Sequence, residues 1–152
     1  MPISTKGEYA ARALLQLALA YNGGSRVKTA HIAEQQRIPK KYLEQILLLF
    51  KKQGLVESKA GLNGGYSLAK HPSQISMAQV VRAVDGPLAP VRCVSKTAYA
   101  RCTCAVEATC GLRTVWQEAR DAVARVLEEI TLEDVAGRAR ALAEVYVPNY
   151  HI

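Results

Sequence analysis

The sequence predicts a mainly α-helical fold with a small β-hairpin wing, in which a winged helix-turn-helix domain is followed by a long dimerisation helix. A tight break at Arg37-Ile38-Pro39 separates two amphipathic helices, and a hairpin pattern follows the second of them. The long helix is indicated by apolar residues at spacings of three and four after Cys110. We therefore expect a winged helix-turn-helix domain at residues 1–86, a cysteine-rich loop at 87–111, and helices at 112–152.

The positive charge of the chain lies in its N-terminal half. The 152 residues carry a net charge of +7; residues 1–70 contain eleven Lys or Arg and four acidic residues, whereas residues 71–152 contain nine of each. This division favours a polyanionic partner, with nucleic acid, an anionic membrane surface or an acidic protein as candidates. Because a cysteine loop joins the basic half to a neutral half, we expect a polyanion-binding module coupled to a sensor.

The N-terminus resembles a signal peptide only in part. Lys6 and Arg12 precede the apolar run ALLQLALA, but Glu8 and Gln16 interrupt the apolar stretch. The apolar residues of 10–21 instead recur at helical spacing, which is typical of an amphipathic core helix. The later apolar runs are far too short to span a bilayer. We therefore expect a cytoplasmic protein.

Four helices are predicted in the first 86 residues. The first covers residues 5–21 and ends at Gly23-Gly24, and the second is AHIAEQQ with Thr29 as its N-cap. The third covers residues 39–53, and the fourth, MAQVVRAVD, opens with a capping box of Ser76 and Gln79. The predicted outward-facing residues of the third helix are Lys40, Lys41, Glu44, Gln45 and Lys51, and its predicted apolar side carries Tyr42, Leu43, Ile46, Leu47 and Phe50.

The second and third helices form a candidate helix-turn-helix. In that motif the second helix braces the third, whose N-terminal side chains reach base edges in the major groove of DNA. The alternative is an ordinary helical hairpin with a solvated charged face, because helix-turn-helix patterns have many false positives.

The hairpin that follows favours the DNA interpretation. Its strands are predicted at residues 55–59 and 65–69, around a turn rich in Gly and Asn. As a wing it would bring Lys59 and the backbone near Asn63 and Gly64 to a minor groove or to phosphates. A purely structural hairpin is the alternative.

All four cysteines lie within the eighteen residues from Cys93 to Cys110. Small and polar residues surround them without an apolar period, which is typical of a ligand-bearing loop. In a reducing cytosol, clustered cysteines more often bind a metal or sense redox state than form structural disulfides. We therefore expect a metal or redox centre in this loop.

Two helices are predicted after the loop. The longer one carries an apolar stripe from Leu112 to Ile130. In a domain this small, such a stripe favours packing against a second copy of the chain, with burial inside one subunit as the alternative. The last helix begins at a cap of Thr131 and Asp134 and continues to about Val145.

Several segments, in order, resemble one family of bacterial regulators. They are ISTKGEYAARALLQLA, KKYLEQILLLFKKQGLVES, KAGLNGGYSLAK and VVRAVDGPLAPV. Over nearly the whole chain they resemble the IscR, NsrR, RirA and CymR superfamily of winged-helix transcription regulators. The succession of YLEQIL, GLVES and NGGY is far more specific than a helix-turn-helix pattern alone. The resemblance implies a homodimer whose long helices cross and whose two winged domains each read half of a promoter site in double-stranded DNA.

The resemblance also implies which residues contact DNA. Matched to the family's contact positions, the major-groove residues are Lys41, Tyr42, Glu44 and Gln45, and the wing contacts are Lys59, Asn63 and Gly64. Glu44 would accept from a cytosine amino group, and Gln45 would pair with adenine. Lys40 and Lys41 would meet phosphates, which adds affinity and salt dependence but little specificity.

For the cysteine loop, the resemblance implies an iron–sulfur cluster of the 2Fe–2S or 4Fe–4S type. Three cysteines hold the cluster in the members that bind one, and Cys93, Cys104 and Cys110 match them. Thiolates suit iron because they are soft, charged donors. The extra thiol of Cys102 leaves the second ligand open between Cys102 and Cys104.

The fourth ligand departs from the IscR-like pattern. Those members have a histidine three positions after the last cysteine, and here that position is Arg113, which cannot ligate iron. Related regulators use a carboxylate from the first helix of the partner subunit, and Glu8 stands at that position. We therefore expect Glu8 to reach the other subunit's cluster, with Cys102 as the rival ligand and a solvated surface role for Glu8 as the alternative.

Three functions compete. The first is a DNA-binding repressor or activator gated by the cluster and sensing iron, cluster supply, nitric oxide or redox state. The second is a cluster-free regulator of the same fold that controls cysteine metabolism, docks a metabolic enzyme, or uses the cysteines as a thiol or zinc switch. The third is a redox carrier, which would leave the wing and the charge division unexplained. The sequence shows no pairing of a nucleophile with a general base that would predict an enzyme.

Overall fold

The computed structural model describes residues 2–22 and 25–148. The helices and strands in chain order are α1 (Thr5–Leu19), α2 (Thr29–Gln36), α3 (Lys40–Lys52), β1 (Val56–Lys59), β2 (Gly65–Leu68), α4 (Met77–Asp85), α5 (Gly111–Glu129) and α6 (Leu132–Val145). Short 3₁₀ turns lie at Pro72–Gln74, Arg92–Val94 and Glu107–Thr109. This confirms the predicted fold class, a mainly α-helical chain with a two-stranded antiparallel wing. The predicted stop at Gly23-Gly24 lies outside the described residues.

The first helix, α1, forms the centre of the core. It packs against α2, α3, α4 and α6. Ala10, Ala13 and Leu14 are fully buried, and the small side chains allow the neighbouring helices to approach closely. The large buried side chains from the surrounding elements are Ile32, Leu43, Ile46, Leu47, Phe50, Ile75, Val80 and Leu132. Burial of each such side chain stabilises the fold by roughly 1.5–3 kcal/mol.

The turn between α2 and α3 is fixed by its backbone. Arg37 adopts the left-handed conformation at φ 51°, and the N–H of Ile38 donates to the carbonyl oxygen of Ala33 at 2.9 Å. Ile38 is buried beneath the turn, and Pro39 precedes the first turn of α3. The predicted tight break is therefore confirmed, and it sets the angle at which α3 crosses α2.

The wing contains a third paired segment that the sequence pattern did not predict. β1 and β2 pair with Val56 opposite Leu68. Val27 adds a bridge to Tyr66, in which the N–H of each residue donates to the carbonyl oxygen of the other at 2.8 Å. Gly65 permits this approach, because its φ is 136° and a Cβ there would lie 2.6 Å from the carbonyl oxygen of Val27.

The bridge at Val27 corrects the predicted start of α2. Thr29 is the first residue of the helix, and the N-cap is Lys28, which makes no side-chain capping bond. The prediction of Thr29 as the cap was wrong because the chain before the helix is held in an extended bridge and enters the helix directly after it.

The start of α1 is tied to the end of α4. The carboxylate of Asp85 accepts from the backbone N–H of Ser4 at 2.9 Å and also from the Ser4 hydroxyl. The Ser4 hydroxyl oxygen accepts in turn from the N–H of Gly7 at 2.9 Å, which caps α1. Gly7 leaves room for this contact, since a Cβ there would collide with the Asp85 carboxylate.

Both predicted capping boxes are confirmed. The Ser76 hydroxyl and the Gln79 side chain satisfy each other's backbone N–H groups at the start of α4, and Thr131 with Asp134 does the same at the start of α6. The Asp134 side chain accepts from the Thr131 N–H, and this hydrogen bond is the main reason that the pKa of Asp134 is lowered.

The last helix, α6, returns to the N-terminal core. The N–H of Met77 donates to the carbonyl oxygen of Ile130 at 2.8 Å, and the N–H of Leu132 donates to that of Ile75 at 2.9 Å. Leu132 and Ala136 are buried in the same cluster as α1. The helix α5 instead leaves the core, and none of its described residues is fully buried.

Within residues 2–22 and 25–148, no helix is both long enough and apolar enough to span a membrane.

Candidate nucleic-acid interface and cysteine centre

The helix α3 separates an apolar side from a polar side as predicted, except that Tyr42, which helical spacing placed on the apolar side, is exposed because it packs at the edge of that side against Tyr9. Leu43, Ile46, Leu47 and Phe50 are fully buried. The five predicted DNA-contact residues of this helix are all exposed: Lys40, Lys41, Tyr42, Glu44 and Gln45. Because the buried side fixes the rotation of α3, these side chains present one polar surface to solvent.

Tyr42 is connected to α1 by a row of side-chain contacts. Its ring packs edge to face on Tyr9, with 5.6 Å between the centroids and an angle of 84°. The Arg12 guanidinium lies 5.7 Å from the centre of the Tyr9 ring and forms an ion pair with Glu8, one helical turn away. We call this series, from Glu8 through Arg12 and Tyr9 to Tyr42, the α1–α3 row. No sequence pattern points to Tyr9 and Arg12, because only the packing of α1 on α3 shows that they reach Tyr42.

The predicted wing residues differ in exposure. Lys59 and Asn63 are exposed, whereas Gly64 is buried and its Cα lies so close to the carbonyl oxygen of Lys59 that a Cβ would collide with it. Leu62, at the tip of the wing, is 90% exposed. Gly64 therefore shapes the turn that presents Lys59 and Asn63 to solvent.

Three of the four cysteines adjoin one another. The N–H of Cys104 donates to the Cys102 sulfur at 3.3 Å. Hydrogen bonding to the Cys102 thiol is the largest effect that raises the pKa of Cys104 to about 12, followed by desolvation and by hydrogen bonding to Cys110. The structure thus brings Cys102, Cys104 and Cys110 together, and a bound cation would reverse this pKa shift by stabilising the thiolates.

Cys93 is held separately, on the side of the loop that packs against α5. It is buried in the 3₁₀ turn Arg92–Val94 and is absent from the groups that raise the pKa of Cys104. The Arg120 guanidinium donates to the carbonyl oxygen of Val94 at 2.6 Å, and Arg113 Nε donates to that of Cys93 at 3.4 Å. Two arginines of α5 therefore fix the backbone around Cys93.

Glu107 connects the two parts of the cysteine loop. Its carboxylate accepts from the Tyr99 hydroxyl at 2.9 Å and forms an ion pair with Arg113 Nε at 3.2 Å. Arg113, which stands where IscR-like members have a ligand histidine, is thus used as a structural cation. The sequence analysis missed Glu107 and Tyr99, since their roles arise from the folding of the loop over the start of α5.

The residue types in this loop fit an iron–sulfur centre, because adjoining thiols are soft donors. Their present arrangement is not closed around a metal: within the described part of the chain, no group of three or more His, Cys, Asp or Glu side chains is already in metal-holding geometry. Glu8 lies on α1, half-exposed and paired with Arg12, so one subunit alone does not bring it into a ligand set.

The exposed side of α5 is strongly apolar. Leu112, Val115 and Trp116 are 66%, 53% and 38% exposed, and Val126 is 48% exposed. The other side of the helix packs on the turn around Cys93 and on α4. The start of this apolar side immediately follows Cys110, so the candidate dimer face and the cysteine centre are adjacent.

Together, the exposed polar face of α3 and the adjoining wing define a winged-helix, DNA-binding transcriptional regulator. A family model described as Rrf2, an iron-dependent transcriptional regulator, matches residues 3–138. The chain belongs to the Rrf2 family.

Relatives and solved structures agree with this assignment. An rrf2-like HTH-type transcriptional regulator of Rhodobacter capsulatus is 38% identical over 146 residues, covering 94% of this chain and 97% of its own length. The structure of CymR, the global cysteine regulator of B. subtilis, has 33% identity and a TM-score of 0.76, covering 91% of this chain and 98% of its own. The structure of IscR from T. potens has 28% identity and a TM-score of 0.72, and the match covers 99% of this chain and 95% of the IscR chain.

The Glu107 contact with Tyr99 predicts a measurable pKa change. The pKa of Tyr99 is raised, first because the neutral phenol donates to Glu107 and then because of desolvation and the repulsion of a phenolate by the carboxylate. We expect Glu107→Gln to lower the pKa of Tyr99 toward its usual value near 10, since the replacement removes the negative charge. NMR of the tyrosine ring carbons during an alkaline titration measures this change.

Glu118→Gln is the matched control, because Glu118 is an exposed acid of α5. It should leave the Tyr99 titration as it is in the parent protein. An unchanged Tyr99 pKa in Glu107→Gln would show that the loop does not hold this contact in solution.

Proposed function

We propose that the protein is a homodimeric transcription regulator whose promoter binding is gated by an iron–sulfur cluster held in the loop from Cys93 to Cys110. The observation that carries this proposal is the meeting of Cys102, Cys104 and Cys110 in one loop, on a fold whose α3 surface and wing suit DNA. The iron-dependent description of the Rrf2 family supports it. So does the similarity to an IscR structure.

Cys93, Cys104 and Cys110 would be the cysteine ligands, with Cys102 the alternative to Cys104. Bound there, the cluster would supply a redox- and nitric-oxide-sensitive link between its ligands. Bringing Cys93 to the other three thiols requires the loop to close against α5. Arg113 and Arg120 already hold the backbone next to Cys93, so the movement would fall on the segment with Cys102 and Cys104.

The dimer would form through the exposed apolar side of α5. Pairing of two such helices would bury Leu112, Val115 and Trp116, which otherwise remain in water. Because this side begins directly after Cys110, the partner subunit would approach the cysteine loop. Glu8 is proposed as the fourth ligand of the other subunit's cluster because it stands where related regulators use a carboxylate from the partner's first helix, and a partner close to the loop is a requirement of that role.

The α1–α3 row offers a physical route from the cysteine centre to DNA. When Glu8 pairs with Arg12, the guanidinium is held over Tyr9, and Tyr9 supports the exposed Tyr42 ring. Ligation by Glu8 would remove the partner of Arg12 and change the position of Tyr9 against Tyr42. The equilibrium between two arrangements of these side chains would thereby couple the loop to the DNA-reading surface.

A second candidate function is a cluster-free regulator that uses the thiols as a redox or zinc switch. The contacts of Cys104 with Cys102 and with Cys110 support it, because neighbouring thiols can be oxidised or can bind zinc. The similarity to CymR, the global cysteine regulator of B. subtilis, favours the same alternative, which could include a metabolic enzyme as partner. Zinc without iron and sulfide in protein isolated under anaerobic conditions would support this candidate.

The DNA-reading residues can be separated by their effects on specificity. We expect Gln45→Ala and Glu44→Ala each to weaken binding to the cognate promoter about 10- to 100-fold while leaving binding to unrelated duplex nearly unchanged, because a base contact contributes roughly 1–3 kcal/mol of discrimination. Lys40→Ala should weaken both duplexes equally, since a phosphate contact carries no sequence information. Fluorescence anisotropy with the two duplexes measures both effects.

Equal losses on both duplexes in Gln45→Ala and Glu44→Ala would contradict the proposed orientation of α3. Thermal unfolding of each variant provides the check on folding, and the exposed positions should leave it unchanged within about 0.5 kcal/mol.

The cluster ligands can be tested by metal content. Anaerobically purified protein should contain two or four irons per chain with equal acid-labile sulfide, and Cys93→Ser or Cys110→Ser should lose them. Glu8→Gln should destabilise the cluster while Cys102→Ser retains it. Glu118→Gln is the control for removal of an exposed acid.

The opposite result, retention in Glu8→Gln and loss in Cys102→Ser, would assign the fourth ligand to Cys102. Absence of iron from every preparation would refute the cluster and leave the DNA-binding assignment standing.

A further inference from the structure

A basic groove runs between the start of α2 and the wing. We call it the wing groove and define it by Lys28, Thr29, Ser58, Lys59, Gly61 and Tyr66. Its volume is about 390 Å³. Lys59 belongs to the predicted wing contacts, but Lys28, Thr29 and Ser58 were not predicted to take part in binding.

The groove has fixed walls because the wing is bonded to the segment before α2. Val27 and Tyr66 exchange two backbone hydrogen bonds at 2.8 Å, and Gly65 lies against the Val27 carbonyl group. Lys28 directly follows Val27, so its backbone position is set by the bridge. The bridge therefore fixes the distance between the backbone at Lys28 and the hairpin that carries Lys59.

The chemistry of the groove suits an anion. Two lysines and three hydroxyl-bearing residues, Thr29, Ser58 and Tyr66, line it, and none of its described lining residues is acidic. Ser58 Oγ accepts from Lys51 Nζ at 2.6 Å, which leaves the Ser58 hydroxyl hydrogen free to donate. Glu57 is the neighbouring acid; alternation along β1 places it on the face opposite Ser58, and it is not among the residues that line the groove.

A second cleft on the molecule provides a contrast. It has a similar volume, about 400 Å³, and lies between the end of α4, the segment near Ser95 and α5. Its cations are offset by acids: Arg82 pairs with Glu128 at 2.5 Å, and Arg120 pairs with Asp121 at 2.8 Å. Four cations and three acids line that cleft, so its positive charge is largely offset, whereas the two lysines of the wing groove have no acid among the lining residues.

We propose that the wing groove binds a backbone phosphate of the DNA duplex, with Lys28 and Lys59 on either side of it and the Thr29 and Ser58 hydroxyls as donors. The proposal rests on the DNA-binding function. A duplex is favoured over a free small anion because the groove is open along one side and continues into the exposed wing, where Lys59 and Asn63 lie. Its glycines allow a sugar–phosphate backbone to approach closely.

The test uses the full-length protein with cognate and unrelated duplexes at several salt concentrations. Lys28→Ala should weaken both duplexes by the same factor, about 3- to 10-fold at moderate salt, and should reduce the salt-dependence slope by about one per subunit. Lys28→Arg should restore most of the affinity, because it keeps the charge. Lys96→Ala is the matched control, since Lys96 is an exposed lysine in the cysteine segment, and it should change neither quantity.

Three outcomes would overturn or redirect the proposal. An unchanged slope in Lys28→Ala, together with a reduced slope in Lys59→Ala, would refute the groove but leave the wing as a DNA contact. Lys28-dependent binding of inorganic phosphate, seen by NMR without an effect on duplex binding, would refute the duplex as the occupant. Failure of the parent protein to bind either duplex would refute the proposed function itself.

Discussion

The buried side of α1 is the constraint on which the other parts of this fold depend. Ala10, Ala13 and Leu14 are fully buried and contact a ring of helices that includes α3 and α4. The same helix carries Glu8, the proposed cluster ligand, near its N-terminus and Tyr9 against Tyr42, so packing in the core fixes the backbone that positions both side chains. The hydrogen bonds from Ser4 to Asp85 add a further link, because Asp85 ends α4 and the chain then enters the cysteine segment.

The cysteine segment contrasts with this core. Between α4 and α5 the chain runs for twenty-five residues with only two 3₁₀ turns, and most residues from Arg101 to Thr109 are exposed. Long segments without regular structure are uncommon inside compact domains and are often functional. Contacts from Arg113, Arg120 and Glu107 order part of the segment, whereas the thiol-bearing part has little apolar burial to stabilise it. An added ligand or a partner subunit would therefore change the segment more than it changes the core.

Much of the fold could be predicted from the sequence, because it depends on local signals. Apolar spacing predicted α1, α3, α4 and α5, and the capping residues Ser76 and Thr131 predicted the starts of α4 and α6 to the residue. The bridge of Val27 to Tyr66 could not be predicted, since the two residues are far apart in sequence. Only one residue pair forms the bridge, so no strand pattern marks it. The bridge also explains why Thr29 is not the N-cap of α2: the helix starts directly after the bridge, so Lys28 occupies the cap position and Thr29 is the first helical residue.

The candidate sites were predictable to different degrees. Exposure of Lys40, Glu44 and Gln45 follows from the helical period of α3 alone, whereas the same period placed Tyr42 on the apolar side and did not predict its exposure. The roles of Arg12, Glu107 and Arg113 depend on how a helix or loop packs, and no local pattern distinguishes them from solvated charges. The assignment of Cys93 remains a prediction that needs the loop to close, because Cys93 is buried in the turn Arg92–Val94 and is not among the thiols that interact with Cys104.

The central claim is that the state of the cysteine centre controls DNA affinity. The most direct measurement is anisotropy of one promoter duplex with one anaerobic preparation, before and after removal of iron, with a Cys110→Ser variant treated in parallel. The account predicts a change in affinity of at least about tenfold in the parent protein, or roughly 1.4 kcal/mol, and none in the variant. Equal affinity before and after iron removal, on a preparation shown to have contained iron and sulfide, would contradict it.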